Sequence, residues 1–118
     1  MSQTESINST TQQWTTICPV ERILPNTGVC ALVNDRQIAV FRVGEGNDVY
    51  AIDNYDPFSK AYVLSRGIVG DRNGTPKVAS PIYKQNFSLL TGECLDDSRI
   101  KVDTFSARIV DGQVQVGV

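Results

Sequence analysis

The chain has 118 residues, 11 basic and 13 acidic side chains, a net charge of −2 and 41% hydrophobic content. This describes one small globular domain, which buries about two thirds of its unfolded surface and needs no disulfide or metal to fold. An electrostatic nucleic-acid binder is excluded because the Lys and Arg residues are scattered without a patch, and no apolar stretch approaches the roughly 18 residues of a membrane span.

The sequence contains no histidine. Histidine is the usual general base near pH 7 and the commonest metal ligand, so a Ser-His-Asp triad and a His-Cys zinc site are both ruled out within this polypeptide. Cys18, Cys30 and Cys94 are odd in number and form no Cys-x-x-Cys, which argues against a disulfide framework or a thiolate metal site. Cys30 lies in the apolar run Val29–Val33 and is expected to be a small core residue. The first thirteen residues hold no hydrophobic core, so no signal peptide is expected. The expected location is then the reducing cytoplasm, where the glycosylation triplets at Asn8, Asn73 and Asn86 are chance matches.

Residues 1–13 are Ser, Thr and Gln with almost no apolar side chain and are expected to form a disordered tail. The body, 14–118, reads as short strands separated by turn signals. Trp14 to Cys18 is the first strand, with Trp14 expected as a lid on the core rather than an interface anchor. Val20 to Leu24 is one helical turn ended by Pro25. Val29 to Val33 and Arg36 to Val43 flank Asn34-Asp35, a two-residue hairpin connection. Gly44 to Asn47 is a loop without the strand-to-helix context of a nucleotide fingerprint, and Asp48 to Asp53 is a strand. Lys77-Val78-Ala79 is another strand, Arg66-Gly67 a turn, and Asp96-Asp97 a solvated acidic corner. In the last hairpin Phe105, Ala107 and Ile109 alternate with polar residues up to the Asp111-Gly112 turn, and Val114 and Val116 alternate beyond it. That period of two places one face on a core. No long helix, internal repeat or second domain is legible.

Two loops of the middle segment carry a proline directly after a small polar residue: Asp56-Pro57-Phe58, and Ser80-Pro81-Ile82-Tyr83 followed by Lys84 and Gln85. Proline fixes φ and stiffens each. The second leads into Phe87-Ser88-Leu89 and the Thr91-Gly92-Glu93 turn.

This frame resembles the Rieske family. Pro57, Pro81, Phe87, Leu89, Thr91, Gly92, Glu93, Asp111, Gly112, Val114 and Val116 fit the family pattern from about Trp14 to the C-terminus. The resemblance implies an all-β, Rieske-like domain of short antiparallel strands, a sandwich or partial barrel. The four positions where the family carries cluster ligands differ. Asp56 and Ser80 stand where cysteines would be, and Phe58 and Tyr83 where histidines would be. A Rieske centre takes two thiolates on one iron and two imidazoles on the other, so the chain is expected to hold no cluster. Carboxylate and hydroxyl oxygens suit hard cations, but Asp53, Asp56 and Ser80 fall short of the usual six oxygens. No catalytic, cofactor or metal residue is therefore expected.

A narrower resemblance covers Leu24–Leu32, Asp56-Pro57-Phe58, Val63–Gly67, Ala79-Ser80-Pro81, Lys84-Gln85 and Phe87. These segments look like the small subunit of bacterial NAD(P)H-dependent nitrite reductases, a Rieske-like domain lacking the cluster ligands. The resemblance implies a cytoplasmic partner of a large subunit that carries FAD, an iron–sulfur cluster and siroheme and reduces nitrite to ammonium, a step of nitrate assimilation and nitrogen metabolism. The isolated chain is expected to be inactive. Two readings stand for the aromatic residues. Phe58 and Tyr83 fill the vacated cluster space, as aromatic residues at such positions usually do; or Phe58, Tyr83 and Lys84 form part of the surface that meets the large subunit. A second function class, a free-standing β-domain adaptor binding another oxidoreductase or a small ligand, stays open at this point.

Overall fold

The computed structural model describes residues 13–118. The expected tail, 1–13, lies outside the described residues except for Gln13, whose carbonyl accepts the Val118 N–H at 3.2 Å.

The described residues are all β apart from two single turns of 3-10 helix, at Val20–Arg22 and Leu64–Arg66. The main sheet has six strands. They are β1 (Trp14–Pro19), β2 (Thr27–Val33), β3 (Arg36–Val43), β4 (Asp48–Asp53), and the C-terminal pair β10 (Thr104–Val110) and β11 (Gln113–Gly117). Their order is β1-β11-β10-β4-β3-β2, antiparallel throughout. Two small sheets are inserted between β4 and β10. One pairs β5 (Tyr55–Asp56) with β6 (Ala61–Tyr62); the other joins β7 (Ile68–Arg72), β8 (Thr75–Ala79) and β9 (Asn86–Ser88).

The hairpins follow from their turn residues. Asn34 and Asp35 both take positive φ, 50° and 64°, as do Asp111 and Gly112, 51° and 76°. This is the backbone of a two-residue turn whose twist matches that of the strands. Asn73 and Gly74 do the same at 53° and 87° and join β7 to β8. The pattern-based reading missed β7, although Asn-Gly is the strongest short hairpin signal.

The core has two parts. Ile38, Val40, Ala51, Val114 and Val116 point into the six-stranded sheet, together with Ile23, Ala31 and Val33. Ala39, Phe41 and Ile52 point to the opposite face and pack on Leu64, Val78, Phe87, Leu89, Cys94 and Val102 from the inserted segment. Interior strand β3, between β4 and β2, is thus buried on both faces, and it reads as the unbroken apolar run Ile38–Phe41 for that reason. Edge strand β2 is not. Ala31 and Val33 are buried while Cys30 and Leu32 face out. The expectation that Cys30 is a core residue is therefore corrected: an apolar run on an edge strand alternates between covered and uncovered faces. Cys94 is buried and Cys18 half-buried.

Candidate functional site

The two proline loops project from the inserted sheets, and their bases are pinned by hydrogen bonds. Asn54, 1% exposed, anchors the first. Its Nδ2 donates to Gln37 Oε1 at 3.1 Å and its Oδ1 accepts the Ser65 N–H at 2.7 Å. Its main chain also bonds to Gln37 and Leu64. Asp53, one residue earlier, accepts from the Tyr55 N–H and from Arg36.

Within the loops, Asp56 and Ser80 are fully buried. Asp56 Oδ1 accepts the Phe58 N–H at 2.9 Å, and Oδ2 accepts the Ser59 hydroxyl at 2.8 Å and the Ser80 hydroxyl at 2.5 Å. The Ser80 N–H donates to the Gln85 carbonyl at 2.9 Å. The carboxylate therefore closes its own turn and ties it to the other. A buried carboxylate is tolerated only when hydrogen-bonded in this way. The structure thus brings together two of the positions singled out from the sequence, in a role the sequence did not reveal.

The other two separate. Phe58 is half-buried against the core, its ring 6.1 Å from that of Phe87. Tyr83 is 61% exposed and Ile82 46%. The expectation that both aromatics fill a vacated space is corrected for Tyr83. Its turn is already closed by main-chain bonds, and the space beside Ser80 is taken by Asp56. Lys84 is exposed beside Tyr83.

The remaining candidates resolve into scaffold roles. Among the described residues no three His, Cys, Asp or Glu side chains are placed to hold a metal ion. Trp14 is half-buried under the Arg108 guanidinium, 3.8 Å above its ring. Arg66 ends a 3-10 turn, as the turn reading anticipated. The Asp96-Asp97 corner is paired rather than merely solvated. Asp96 meets Arg72 and Asn86, and Asp97 meets Arg99. Hydrogen bonds from the Asn86 backbone and side chain, with Arg72 adding, hold the Asp96 carboxyl below the ordinary carboxylate value. Partial burial pushes the Cys18 and Cys30 thiols up, opposed by nearby Arg22 and Arg66 respectively. Neither is an activated thiolate.

An all-β domain with two proline-stiffened loops packed on its core defines a class, and the chain belongs to the family of Rieske-like [2Fe-2S] domains, which matches residues 13–117. Within that class it falls with the small subunits of nitrite reductase. It is 47% identical over 104 residues to the nitrite reductase (NADH) small subunit of Escherichia coli (strain K12), covering 88% of this chain and 96% of that one. Its fold matches the crystal structure of a putative NADH-dependent nitrite reductase small subunit from Mycobacterium tuberculosis with a TM-score of 0.87 and 48% identity, covering 92% of this chain and 96% of that chain. It is also 42% identical over 104 residues to part of the nitrite reductase [NAD(P)H] large subunit of Klebsiella oxytoca, covering 88% of this chain and 11% of that protein.

The family is one of [2Fe-2S] domains, and the donors in these loops do not fit such a cluster. A phenyl ring has no lone pair, the chain has no imidazole, and the Asp56 and Ser80 oxygens are spent on each other and on their own turns. The three cysteines lie on β1, on β2 and beyond β9, none of them in either proline loop.

Proposed function

We propose that the chain is the non-catalytic small subunit of an NAD(P)H-dependent nitrite reductase, binding and stabilising a large subunit that holds the FAD, iron–sulfur and siroheme centres. The observation that carries this reading is 47% identity with a nitrite reductase small subunit over 96% of that subunit's length. The Klebsiella large subunit supports it, since there the same module lies within the polypeptide of the larger protein. The chain would hold no redox centre of its own, because its loop donors suit neither half of a Rieske cluster. It would work in the cytoplasm, the reading that fits its unpaired thiols. No helix among the described residues is long and apolar enough to cross a membrane. The face presented to the large subunit would include Phe58, Tyr83 and Lys84.

Affinity purification of the tagged chain from nitrite-grown cells tests the assignment. A large protein with flavin and siroheme absorption is expected to co-purify, and recovery of only an unrelated partner would overturn it. The purified chain should be colourless; stoichiometric iron and sulfide with a Rieske-type spectrum would overturn the cluster-free part.

A further inference from the structure

The two loops are copies of one turn. Asp56-Pro57-Phe58-Ser59-Lys60 and Ser80-Pro81-Ile82-Tyr83-Lys84 each have proline second and lysine fifth. In each, the lysine N–H donates to the carbonyl of the first residue, at 2.7 Å for Lys60 and 3.1 Å for Lys84. Each lysine takes a left-handed backbone, φ 58° and 65°, which is uncommon for a residue with a side chain. The first residues of the two turns are joined by the Ser80–Asp56 hydrogen bond, so the turns stand side by side and present both lysines to solvent.

We propose that the paired turns form a docking surface with Lys60 and Lys84 as matched cations beside an apolar ridge of Ile82 and Tyr83, and that its occupant is an apolar patch bearing carboxylates on the nitrite reductase large subunit. This rests on the subunit reading above. The charge pattern carries it. The chain as a whole is acidic, net −2, yet the one acid of the two turns, Asp56, is fully buried. Among the described residues the ion pairs use Arg36, Arg72 and Arg99, and neither turn lysine takes part. Ile82 and Tyr83 are 46% and 61% exposed. An apolar centre with a charged rim is the anatomy of a protein interface, and rim charges act chiefly on association rate and partner choice. The occurrence of this module inside the Klebsiella large subunit makes that subunit the occupant of choice.

The experiment measures association of the full chain with the purified large subunit, by biosensor or stopped flow, at low salt and near 0.5 M. Lys60→Glu and Lys84→Glu should each slow association about threefold to tenfold, and the double reversal by more than about tenfold, with the effect shrinking at high salt. The neutral pair Lys60→Gln/Lys84→Gln should fall between, which separates charge from any folding defect. Arg22→Glu, on the 3-10 turn beside Gly112, should change the rate by less than about twofold. A wild-type rate for the double reversal overturns this surface while leaving the subunit assignment standing. Failure of the unmodified chain to bind overturns both.

Discussion

Ser80 Oγ donates to Asp56 Oδ2 at 2.5 Å, and neither residue has any exposure to solvent. In a cluster-binding Rieske domain the inorganic centre bridges these two loops; here a single side-chain hydrogen bond does. A structural metal can supply on the order of 10 kcal/mol, while a hydrogen bond to a charged group contributes about 1.5–3 kcal/mol. The clasp is thus the weaker joint, helped by the stiffness of Pro57 and Pro81.

Asp56→Ala leaves three donors without their acceptor, those of Phe58, Ser59 and Ser80. It should lower stability by about 2–4 kcal/mol, and Ser80→Ala by about 1–2 kcal/mol. Because both remove the same bond, the double variant should lose less than the sum of the two. Urea unfolding of all four proteins measures this, and strict additivity would show that the bond contributes nothing.

Phe58 and Tyr83 should respond unequally to truncation. Phe58 packs on Phe87 and the core, so Phe58→Ala should cost about 1–3 kcal/mol, below the range for a fully buried Phe. Tyr83 is mostly exposed, so Tyr83→Ala should stay within about 0.5 kcal/mol. Thermal unfolding separates the two. Equal losses would mean that both rings fill the same space.

The strands with period-two alternation and the hairpins at Asn34-Asp35 and Asp111-Gly112 were legible because turn chemistry and pattern agree locally. The Rieske-like frame was legible in the prolines and in the Thr91-Gly92-Glu93 turn. Strand β7 was not, since Ile68-Val69-Gly70-Asp71-Arg72 alternates poorly and only the Asn73-Gly74 turn signal marks its end. The exposure of Cys30 could not be read from its apolar neighbours, because it depends on β2 lying at the edge of the sheet. Nor could the Asp56–Ser80 clasp, which joins residues 24 positions apart. The twin turns did leave a local trace, proline second and lysine fifth, too short to be seen as a repeat without the backbone.

Gly92 closes the turn after β9 with φ +80°, and a Cβ there would overlap the Val102 carbonyl oxygen. Its N–H donates to Ser88 and its carbonyl accepts from Val102, so the backbone has no room to shift. Gly92→Ala combines a disfavoured φ with a steric clash and should cost more than about 2 kcal/mol. The alanine variant at Gly112, where φ is +76° but nothing lies within 4 Å, should lose only the conformational part, about 1 kcal/mol. Chemical denaturation of the two compares a strained turn with a strained and crowded one, and equal losses would remove the crowding argument.

Acid sensitivity should trace in part to Asp96. The Asn86 backbone N–H donates to its Oδ2 at 2.8 Å and the Asn86 amide at 3.0 Å, with Arg72 at 3.3 Å from Oδ1. These favour the carboxylate, so the folded-state pKa lies below the ordinary value. A depressed carboxyl stabilises the fold fully above its unfolded pKa, about 3.9, and loses that contribution as pH falls through the lower folded value. Both side chains of the ion pair are well exposed, 40% for Arg72 and 38% for Asp96, so solvent screening holds the contribution below about 1 kcal/mol. Asp96→Asn should therefore be less stable than the parent at pH 6–7, with the gap closing below about pH 4. Unfolding midpoints measured across that range decide it. A gap that stays constant or widens on acidification would mean that Asp96 gains nothing from Asn86 and Arg72 in the folded protein.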